Sequence, residues 1–294
     1  MAETNFLKDA HVLIWGLGLM GGSLALALKG KCAWMTGIDP DIKTAAMALE
    51  MHAVDEVFVS LQDCIHKKAD VIILAAPVRG ILGQLKDLAG AGFRNAVVLD
   101  LGSTKSQIVS IMENLPDGLD PVGGHPMCGS EKSSILHAHS GIYQNAMFAL
   151  VQTKKTTERA VKVCEQLVRA VEAVPCWLDA ETHDRWVAAT SSLPFLIANA
   201  LAATVPTEAR PLVGPGFQST SRLAAESIDM MLDILHTNRG NVLSVVETYQ
   251  QRLLKLQNAL NSNNETELRR LLQEGARQRD ALMDNLAEGQ SLCN

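Results

Sequence analysis

The sequence predicts an α/β protein in which a doubly wound, mostly parallel β-sheet precedes an all-helical C-terminal half. Up to about residue 178, short apolar runs alternate with stretches of helical length. After residue 178, long amphipathic patterns replace the apolar runs. We therefore expect a sheet domain over residues 1–178 and a helical domain over residues 179–294.

The predicted strands are continuous apolar runs, which are typical of parallel strands covered by helices on both faces. The first three runs are separated by patterns of helical length, such as Gly22–Lys29 and Ile42–Met51. The runs are His11–Trp15, Trp34–Ile38, Val71–Ala75, Ala96–Asp100, Met147–Gln152 and Val174–Leu178.

The second half, residues 179–294, is predicted to form long helices. In Val242–Leu260, apolar residues recur three or four positions apart, as in a helix that packs against other helices or across a subunit interface. We therefore expect a homodimer formed through this half. The segment Val205–Gly216 contains three prolines and two glycines and is predicted to be a loop. The predicted helices are Ala180–Ala203, Leu223–His236, Asn241–Ser262 and Glu265–Leu286.

Composition argues against several classes of function. A hydrophobic content of 47% against 20% charged residues is typical of a packed protein, and a net charge of −6 offers no basic surface for nucleic acid. The N-terminal segment is polar, and the apolar stretch Leu17–Leu28 is too short to cross a bilayer. Six cysteines form no CxxC pair and no metal-ligand spacing. We expect reduced thiols, no metal, no membrane contact and a cytoplasmic location.

A glycine-rich turn, Gly16-Leu-Gly18-Leu-Met-Gly21, separates the first predicted strand from the first predicted helix. A GxGxxG pattern alone is weak evidence, but here Asp39 ends the next apolar run, 18 residues after Gly21. In a Rossmann-type site Gly16 permits the tight turn, Gly18 lets the backbone approach a pyrophosphate, and Gly21 allows helix and strand to pack closely. The pyrophosphate would then lie at the helix N-terminus.

The expected cofactor is NAD. Asp39 would accept hydrogen bonds from the adenine ribose and repel a 2′-phosphate, and no arginine follows it to bind that phosphate. Leu19 and Met20 in the turn, and Ala76 and Pro77 after the third apolar run, are predicted to complete the cofactor site. A strand–turn–helix unit without a ligand is the alternative interpretation of the motif.

The densest cluster of polar residues and glycines is Gly123-Gly-His-Pro-Met-Cys-Gly-Ser-Glu-Lys-Ser133. Together with the glycine turn and Asp100-Leu-Gly-Ser-Thr-Lys105, it resembles the prephenate/arogenate dehydrogenases of tyrosine biosynthesis. The resemblance continues through His183-Asp184, Ser191-Ser-Leu-Pro194 and Gly216-Phe-Gln-Ser-Thr-Ser-Arg222. It implies an enzyme that oxidises a ring hydroxyl by hydride transfer to NAD while the ring carboxylate leaves as carbon dioxide. The implied substrate is a cyclohexadienyl carboxylate, either prephenate, giving 4-hydroxyphenylpyruvate, or arogenate, giving tyrosine.

The resemblance also implies residue roles. His125 would take or polarise the hydroxyl proton, and Ser103 would share hydrogen bonds with the hydroxyl, the histidine and the nicotinamide. Arg222 would bind a substrate carboxylate, and Glu131 would pair with that arginine. Ser130, next to Glu131, is placed with them in the substrate site.

The sequence departs from the family on the substrate side. Family members often have Ser-His-Leu-Pro-His where this chain has Ser191-Ser-Leu-Pro-Phe195, so Ser192 and Phe195 replace two histidines. An Arg-Asp or Lys-Asp pair is likewise replaced by Gln218-Ser219. We expect Ser192 and Phe195 to line the substrate site, and the choice between prephenate and arogenate stays open.

Several assignments have alternatives. Lys105 and Lys132 are either solvated or functional, and His183 and Asp184 fit interdomain orientation, core packing or helix capping equally well. A β-hydroxyacid dehydrogenase or imine reductase using NAD(P) would have the same two halves, with a catalytic lysine or aspartate in the helical half. A non-catalytic NAD-binding sensor is a third possibility, suggested by Ser192 and Phe195.

Overall fold

The computed structural model describes residues 6–130, 132 and 134–287. Its first half is built on one sheet of eight strands in the order β3-β2-β1-β4-β5-β6-β7-β8. The strands are β1 (His11–Trp15), β2 (Trp34–Ile38), β3 (Glu56–Phe58), β4 (Val71–Leu74), β5 (Ala96–Asp100), β6 (Leu119–Pro126), β7 (Met147–Gln152) and β8 (Val174–Leu178).

The sheet is parallel except where β6 and β7 pair antiparallel. Strand β1 pairs with β2 on one side and β4 on the other, so the direction of winding reverses beside β1. Such a reversal opens a crevice at the carboxyl ends of the strands. The predicted Rossmann-type, mostly parallel sheet is confirmed.

Helices cover both faces of the sheet. Side chains alternate along a strand, so Val12 and Ile14 lie in one apolar core while Leu13 lies in the other. Leu24 of the helix Leu19–Leu28 packs in the first core, and Ile81 of the helix Val78–Gly90 packs in the second. The helices of this half are α1 (Leu19–Leu28), α2 (Ile42–Glu50), α3 (Leu61–Cys64), α4 (Val78–Gly90), α5 (Ser106–Met112) and α6 (Glu158–Ala170).

The sequence predicted six of the eight strands, and the predicted run at Val71 ends one residue earlier than expected, at Leu74. It missed β3, which has only three residues, and β6, which contains His125. Prolines and adjacent glycines interrupt the apolar pattern of β6. The glycines have a packing reason, because a Cβ on Gly124 would lie 2.4 Å from the carbonyl oxygen of Asp100.

The second half is helical, as predicted. The expected helix from Ala180 is continuous but contains a π-helical turn at Ala188–Ser192. The predicted loop Val205–Gly216 is wrong in part, because it holds a 3-10 turn at Thr207–Leu212 and the start of α9, where Pro215 is tolerated at the first position. The helices are α7 (Ala180–Val187), α8 (Leu193–Thr204), α9 (Pro215–Ser221), α10 (Ile228–Thr237), α11 (Arg239–Asn261) and α12 (Glu265–Ala287).

The helical half docks on the carboxyl edge of the sheet. The carboxylate of Asp184 in α7 accepts hydrogen bonds from the backbone N–H groups of Lys105 and Ser106, at 2.7 and 2.9 Å. Because those groups open α5, Asp184 acts as a helix cap across the two halves. Additional links between the halves are the Thr104–Thr237 hydrogen bond at 2.8 Å and the Arg79–Asp233 ion pair at 3.2 Å.

The run Ala180–Thr204 is long and apolar enough to cross a membrane, with 25 residues and a mean hydropathy of 1.4. Its first turns, however, carry His183 and Asp184, which are both 1% exposed. Only 28% of its most apolar window is buried, but Asp184 is bonded to the sheet half, so the start of this run lies in the contact between the two halves.

The cysteines correct one expectation. Cys32, Cys64, Cys128 and Cys164 are free thiols, but Cys176 is disulfide-bonded. The prediction that all thiols are reduced is therefore wrong at Cys176.

Gly21 should be required for folding. A Cβ at this position would lie 1.8 Å from the carbonyl oxygen of Gly16, whereas a Cβ on Gly83 in α4 would meet nothing within 4 Å. We expect Gly21→Ala to lower the free energy of unfolding by about 3 kcal/mol or to prevent folding, because backbone must move. Gly83→Ala, the control, should raise it by about 0.5–1 kcal/mol. Urea unfolding followed by circular dichroism measures both, and equal stabilities would contradict this account of the turn.

Candidate active site

A cleft of about 1020 Å³ opens at the carboxyl ends of β1, β4, β5 and β6 and is walled on the other side by α8 and α10. It brings together most of the residues that the sequence assigned to cofactor and substrate. These are Gly18, Leu19, Met20, Ala76, Pro77, Ser103, His125, Ser130, Ser192, Phe195 and Arg222. Gly16, Gly21 and Asp39 are not among the residues that line the cleft, and Glu131 lies outside the described residues.

The glycine turn presents an open helix N-terminus to the cleft. Gly16 has φ +108°, and a Cβ there would lie 2.5 Å from the carbonyl oxygen of Ala75, so only glycine fits. Gly18 is the N-cap residue of α1 and provides no side-chain cap, and a Cβ on it would meet nothing within 4 Å. Gly18, Leu19 and Met20 line the cleft, so the N-terminus of α1 opens onto it. This arrangement fits a pyrophosphate.

Asp39 braces the turn. One carboxylate oxygen accepts the N–H of Leu17 at 2.8 Å, and the other accepts the N–H of Asp41 at 2.9 Å. The residue is 9% exposed at the end of β2. A carboxylate has about four acceptor positions, so capacity remains for a ribose hydroxyl beside these two bonds.

His125 is the first member of a hydrogen-bonded chain. It is half-buried at the end of β6, and its Nδ1 lies 2.9 Å from Nε2 of His183. Nδ1 of His183 lies 2.9 Å from Oδ1 of Asp184. The two imidazoles meet edge to face, with an interplanar angle of 67°. The site thus joins a strand of the sheet half to a helix of the other half.

Lys105 is buried, not solvated. Its side chain has 0% exposure, and its Nζ contacts the Asp100 carboxylate and the carbonyl oxygen of Gly124, the latter at 2.5 Å. Asp100 also accepts the N–H groups of Gly102, at 2.7 Å, and Gly124, at 3.0 Å. The ends of β5 and β6 are therefore held by one buried ion pair.

These neighbours set the charge state of the site. Burial lowers the pKa of His125 well below its ordinary value of 6.5, and the nearby His183 and Lys105 lower it further, against an opposing effect of Asp184. Burial also lowers the pKa of Lys105, although Asp100 opposes the shift. His125 is consequently neutral at pH 7. A neutral imidazole facing a cleft can accept a proton.

The helical wall of the cleft carries Ser192 and Phe195, which the sequence assigned to a substrate site. Ser192 ends the π-helical turn, is fully buried, and its Oγ has no hydrogen-bond partner among the residues described. Phe195 is 8% exposed and packs with Met231 and Ile234. This wall therefore offers one hydroxyl and an apolar surface. Ser219 lies outside it, donating to the carbonyl of Gly216 in α9.

Charged residues on the cleft lining are few. Within the described part of the chain they are Lys132, Arg222 and Glu226. Arg222 lies on the 3-10 turn Arg222–Ala225, which follows α9. Across residues 6–130, 132 and 134–287, no group of three His, Cys, Asp or Glu side chains is placed to hold a metal ion.

Sequence reasoning missed the burial of Lys105 and the link between His125 and His183. Lys105 is five residues after Asp100, a spacing that many solvated pairs share. His183 is 58 residues from His125, and nothing in either local pattern joins them. The adjacent His-Asp pair at the start of a predicted helix was the one available signal.

Comparison with known proteins places both halves in one family. A family model described as "Prephenate dehydrogenase, nucleotide-binding domain" matches residues 24–176, and one described as "Prephenate dehydrogenase, dimerization domain" matches residues 179–274. A prephenate dehydrogenase of Bacillus subtilis is 31% identical over 290 residues, which cover 95% of this chain and 77% of that protein.

Two solved structures share the fold along nearly the whole chain. A prephenate dehydrogenase from Aquifex aeolicus, in complex with hydroxyphenyl propionate and NAD+, is 29% identical with a TM-score of 0.87, covering 94% of this chain and 99% of that one. An arogenate dehydrogenase from Synechocystis is 27% identical with a TM-score of 0.80, covering 92% and 99%.

The low pKa of His125 can be measured directly. We expect its imidazole to remain neutral as the pH falls through 6.5, because burial and the neighbouring His183 and Lys105 disfavour the charged form. An NMR titration of the ring protons, assigned by comparison with His125→Asn, reports the value. The reference is the same ring in urea-unfolded protein, where it should titrate near about 6.5. Titration of folded His125 at or above that reference would contradict the site as described.

Proposed function

This chain belongs to the prephenate dehydrogenase family, and from that premise we propose that it catalyses the NAD-dependent oxidative decarboxylation of prephenate or arogenate. The observation that carries the proposal is the neutral imidazole of His125 in a cleft shared with the glycine turn. Ser103 and Arg222 line the same cleft. The three side chains supply the base, the hydrogen-bonding hydroxyl and the carboxylate-binding cation that this reaction needs.

The cofactor side is formed by backbone. The N-terminus of α1 at Gly18 would hold the pyrophosphate of NAD, and Ala76 and Pro77 would line the cofactor site. Asp39 keeps the turn in shape and offers its remaining acceptor capacity to the ribose. NAD, when bound, supplies the hydride acceptor of the reaction.

On the substrate, His125 takes the proton of the ring hydroxyl as the hydride leaves its carbon, and it returns this proton to the ring oxygen once the ring has become aromatic. The bond between the ring and its carboxylate then breaks, the carboxylate leaves as carbon dioxide, and the electron pair of that bond completes the aromatic ring. Arg222 binds a substrate carboxylate through its planar guanidinium group. Ser103 and Ser130, which line the cleft, are proposed to orient the substrate by hydrogen bonds, and Glu131 is proposed to orient Arg222.

The proposal includes both prephenate and arogenate, because the side chains of Ser192 and Phe195 are compatible with either substrate. Prephenate carries a keto group where arogenate carries an ammonium group. A serine hydroxyl can donate a hydrogen bond to the first or accept one from the second. Phe195 contributes shape without charge. Such a wall discriminates between prephenate and arogenate less than a wall whose side chain can only donate or only accept a hydrogen bond.

The competing enzyme class is disfavoured by the lining of the cleft. A β-hydroxyacid dehydrogenase or imine reductase would need a lysine or aspartate from the helical half. The described lining residues from that half include neither type, and its charged members are Arg222 and Glu226.

We also propose two domains, 1–178 and 179–294, a homodimer formed through the second, and a cytoplasmic location. Apolar side chains on α11 and α12 support the dimer, because they are large and exposed in a single chain. They include Leu253, Leu254, Leu260, Leu272 and Leu282, which are 47–60% exposed. The matched dimerization-domain model covers this region up to residue 274.

The activity is tested by following NADH absorbance with purified protein, NAD+ and either prephenate or arogenate. We expect reduction of the cofactor with at least one of the two, together with release of carbon dioxide. Measurable NAD+ binding without turnover on either substrate would overturn the proposal and favour the sensor.

Two variants separate the residue roles. His125→Asn should lower kcat by about 100-fold or more with little change in KM, because it removes the base. Arg222→Ala should mainly raise KM, because it removes a substrate-binding cation. The reverse pattern would contradict the roles assigned to these residues.

The dimer is tested by light scattering, which should give twice the mass of one chain. Leu272→Glu should shift the population toward monomer, since a buried unpaired carboxylate is costly. Ile42→Glu is the matched control, because Ile42 is 71% exposed in the sheet half. A monomeric wild type, or equal behaviour of the two variants, would contradict the proposed interface.

A further inference from the structure

His183, the middle residue of the hydrogen-bonded series His125–His183–Asp184, has no assigned role, yet it is buried against the proposed base. We propose that His183 is a positioning residue that accepts a hydrogen bond from Nδ1–H of His125 and so keeps Nε2 of His125 unprotonated toward the cleft. This inference rests on the proposed function, in which His125 is the base. His183 itself does not line the cleft and is 1% exposed, so it acts through His125.

The first step is the tautomer of His183. Asp184 accepts the backbone N–H groups of Lys105 and Ser106 and faces Nδ1 of His183. Burial alone would raise the pKa of Asp184, but the hydrogen bonds from His183, Ser106 and Lys105 outweigh it and lower the pKa. The carboxylate is therefore ionised and can only accept. Nδ1 of His183 must carry a proton.

The second step is the tautomer of His125, which follows from that of His183. A neutral imidazole has one N–H, so with Nδ1 protonated, Nε2 of His183 is an acceptor. It lies 2.9 Å from Nδ1 of His125, which must then be the donor. Neutral His125 has its only N–H in that bond. Its Nε2 is left with a lone pair, which is the state that a base requires.

The third step is rigidity. The backbone of α7 is fixed by its N-cap Asp179, which accepts the N–H of Thr182 at 2.8 Å. The carbonyl oxygen of Asp184 accepts a hydrogen bond from Nδ2 of Asn238 at 2.6 Å. Both histidine rings are thus held by elements that other contacts immobilise, and the tautomer is set before any substrate arrives.

The arrangement also depends on which groups are charged. The ionisable groups around the His125–His183 pair are Lys105 and Asp100 behind β6, and Asp184 on α7. If His183 gained a proton, both its nitrogens would be donors. His125 would then have to present a bare Nδ1 and carry its proton on Nε2, which would abolish the base.

The experiment compares His183→Leu with His183→Gln. Leucine fills the space and removes the acceptor, whereas glutamine can place a carbonyl oxygen near the former Nε2. Asp184 keeps its two backbone hydrogen bonds in both variants. Asp184→Asn is a poorer probe, because an amide NH2 in either orientation would face one of those backbone N–H groups. His66→Gln, at an exposed histidine that does not line the cleft, is the matched control.

We expect His183→Leu to lower kcat by about 10- to 100-fold with KM little changed, as for other outer partners of a functional histidine. His183→Gln should restore most of the lost turnover. His66→Gln should match the wild type.

A readout independent of turnover is the ¹⁵N spectrum of the imidazoles in the protein without substrate. It should show His125 protonated at Nδ1 and bare at Nε2 in the wild type and in His183→Gln, with a mixture of tautomers in His183→Leu. A wild-type His125 protonated at Nε2 would overturn the inference, even if the enzyme turned over. Wild-type kcat in His183→Leu would overturn it as well, as would equally slow Leu and Gln variants. If the spectra agree but neither substrate is oxidised, the proposed function has failed and the tautomer assignment stands.

Discussion

The structure of this site depends on one ammonium group that has no access to water. Lys105, just before α5, is fully buried, and its charge is balanced by Asp100 at the end of β5. Removing one partner of such a pair typically costs about 3–5 kcal/mol, because an uncompensated charge is left in the interior. The same residue bonds the carbonyl of Gly124, and its backbone N–H bonds Asp184. Lys105 therefore connects two strand ends and the helical half at a single point.

This anchor has a direct chemical consequence. His125 follows Gly124 in sequence, so the bond from Lys105 to the Gly124 carbonyl fixes the backbone that carries the proposed base. The positive charge also helps to lower the pKa of His125, which keeps the ring neutral. The chain as a whole has a net charge of −6, yet the described charged residues on the cleft lining are two cations and one carboxylate. The local charge thus suits an anionic substrate although the overall charge does not.

The sequence predicts those features of the structure that are determined by residues close together in the chain, and it misses those determined by distant segments. Strands such as β1 and β5 are uninterrupted apolar runs, and their bounds follow from the sequence. Strand β6 cannot be recognised in this way, because glycines and prolines interrupt its apolar pattern. Packing against the neighbouring strand requires at least one of these residues, since a side chain on Gly124 would collide with Asp100. The Gly16 turn is predictable because its requirement for positive φ lies in the turn itself. The burial of Lys105 and the contact between His125 and His183 are set by distant segments, and no short pattern encodes them.

The two sides of the cleft differ in how completely their polar groups are paired. Around His125, Asp100 and Lys105 of the sheet half and Asp184 of α7 each have several hydrogen-bond partners, and these bonds fix the geometry of that part of the site. On the helical side, the buried Oγ of Ser192 has no partner within the described residues. Leaving such a hydroxyl unpaired costs about 1–3 kcal/mol, and a ligand atom that bonds it recovers that free energy. The sheet side therefore determines the chemistry through fixed geometry. On the helical side a ligand can supply the missing hydrogen-bond partner, so we expect changes at Ser192 and Phe195 to affect the choice of substrate more than the geometry around the proposed base.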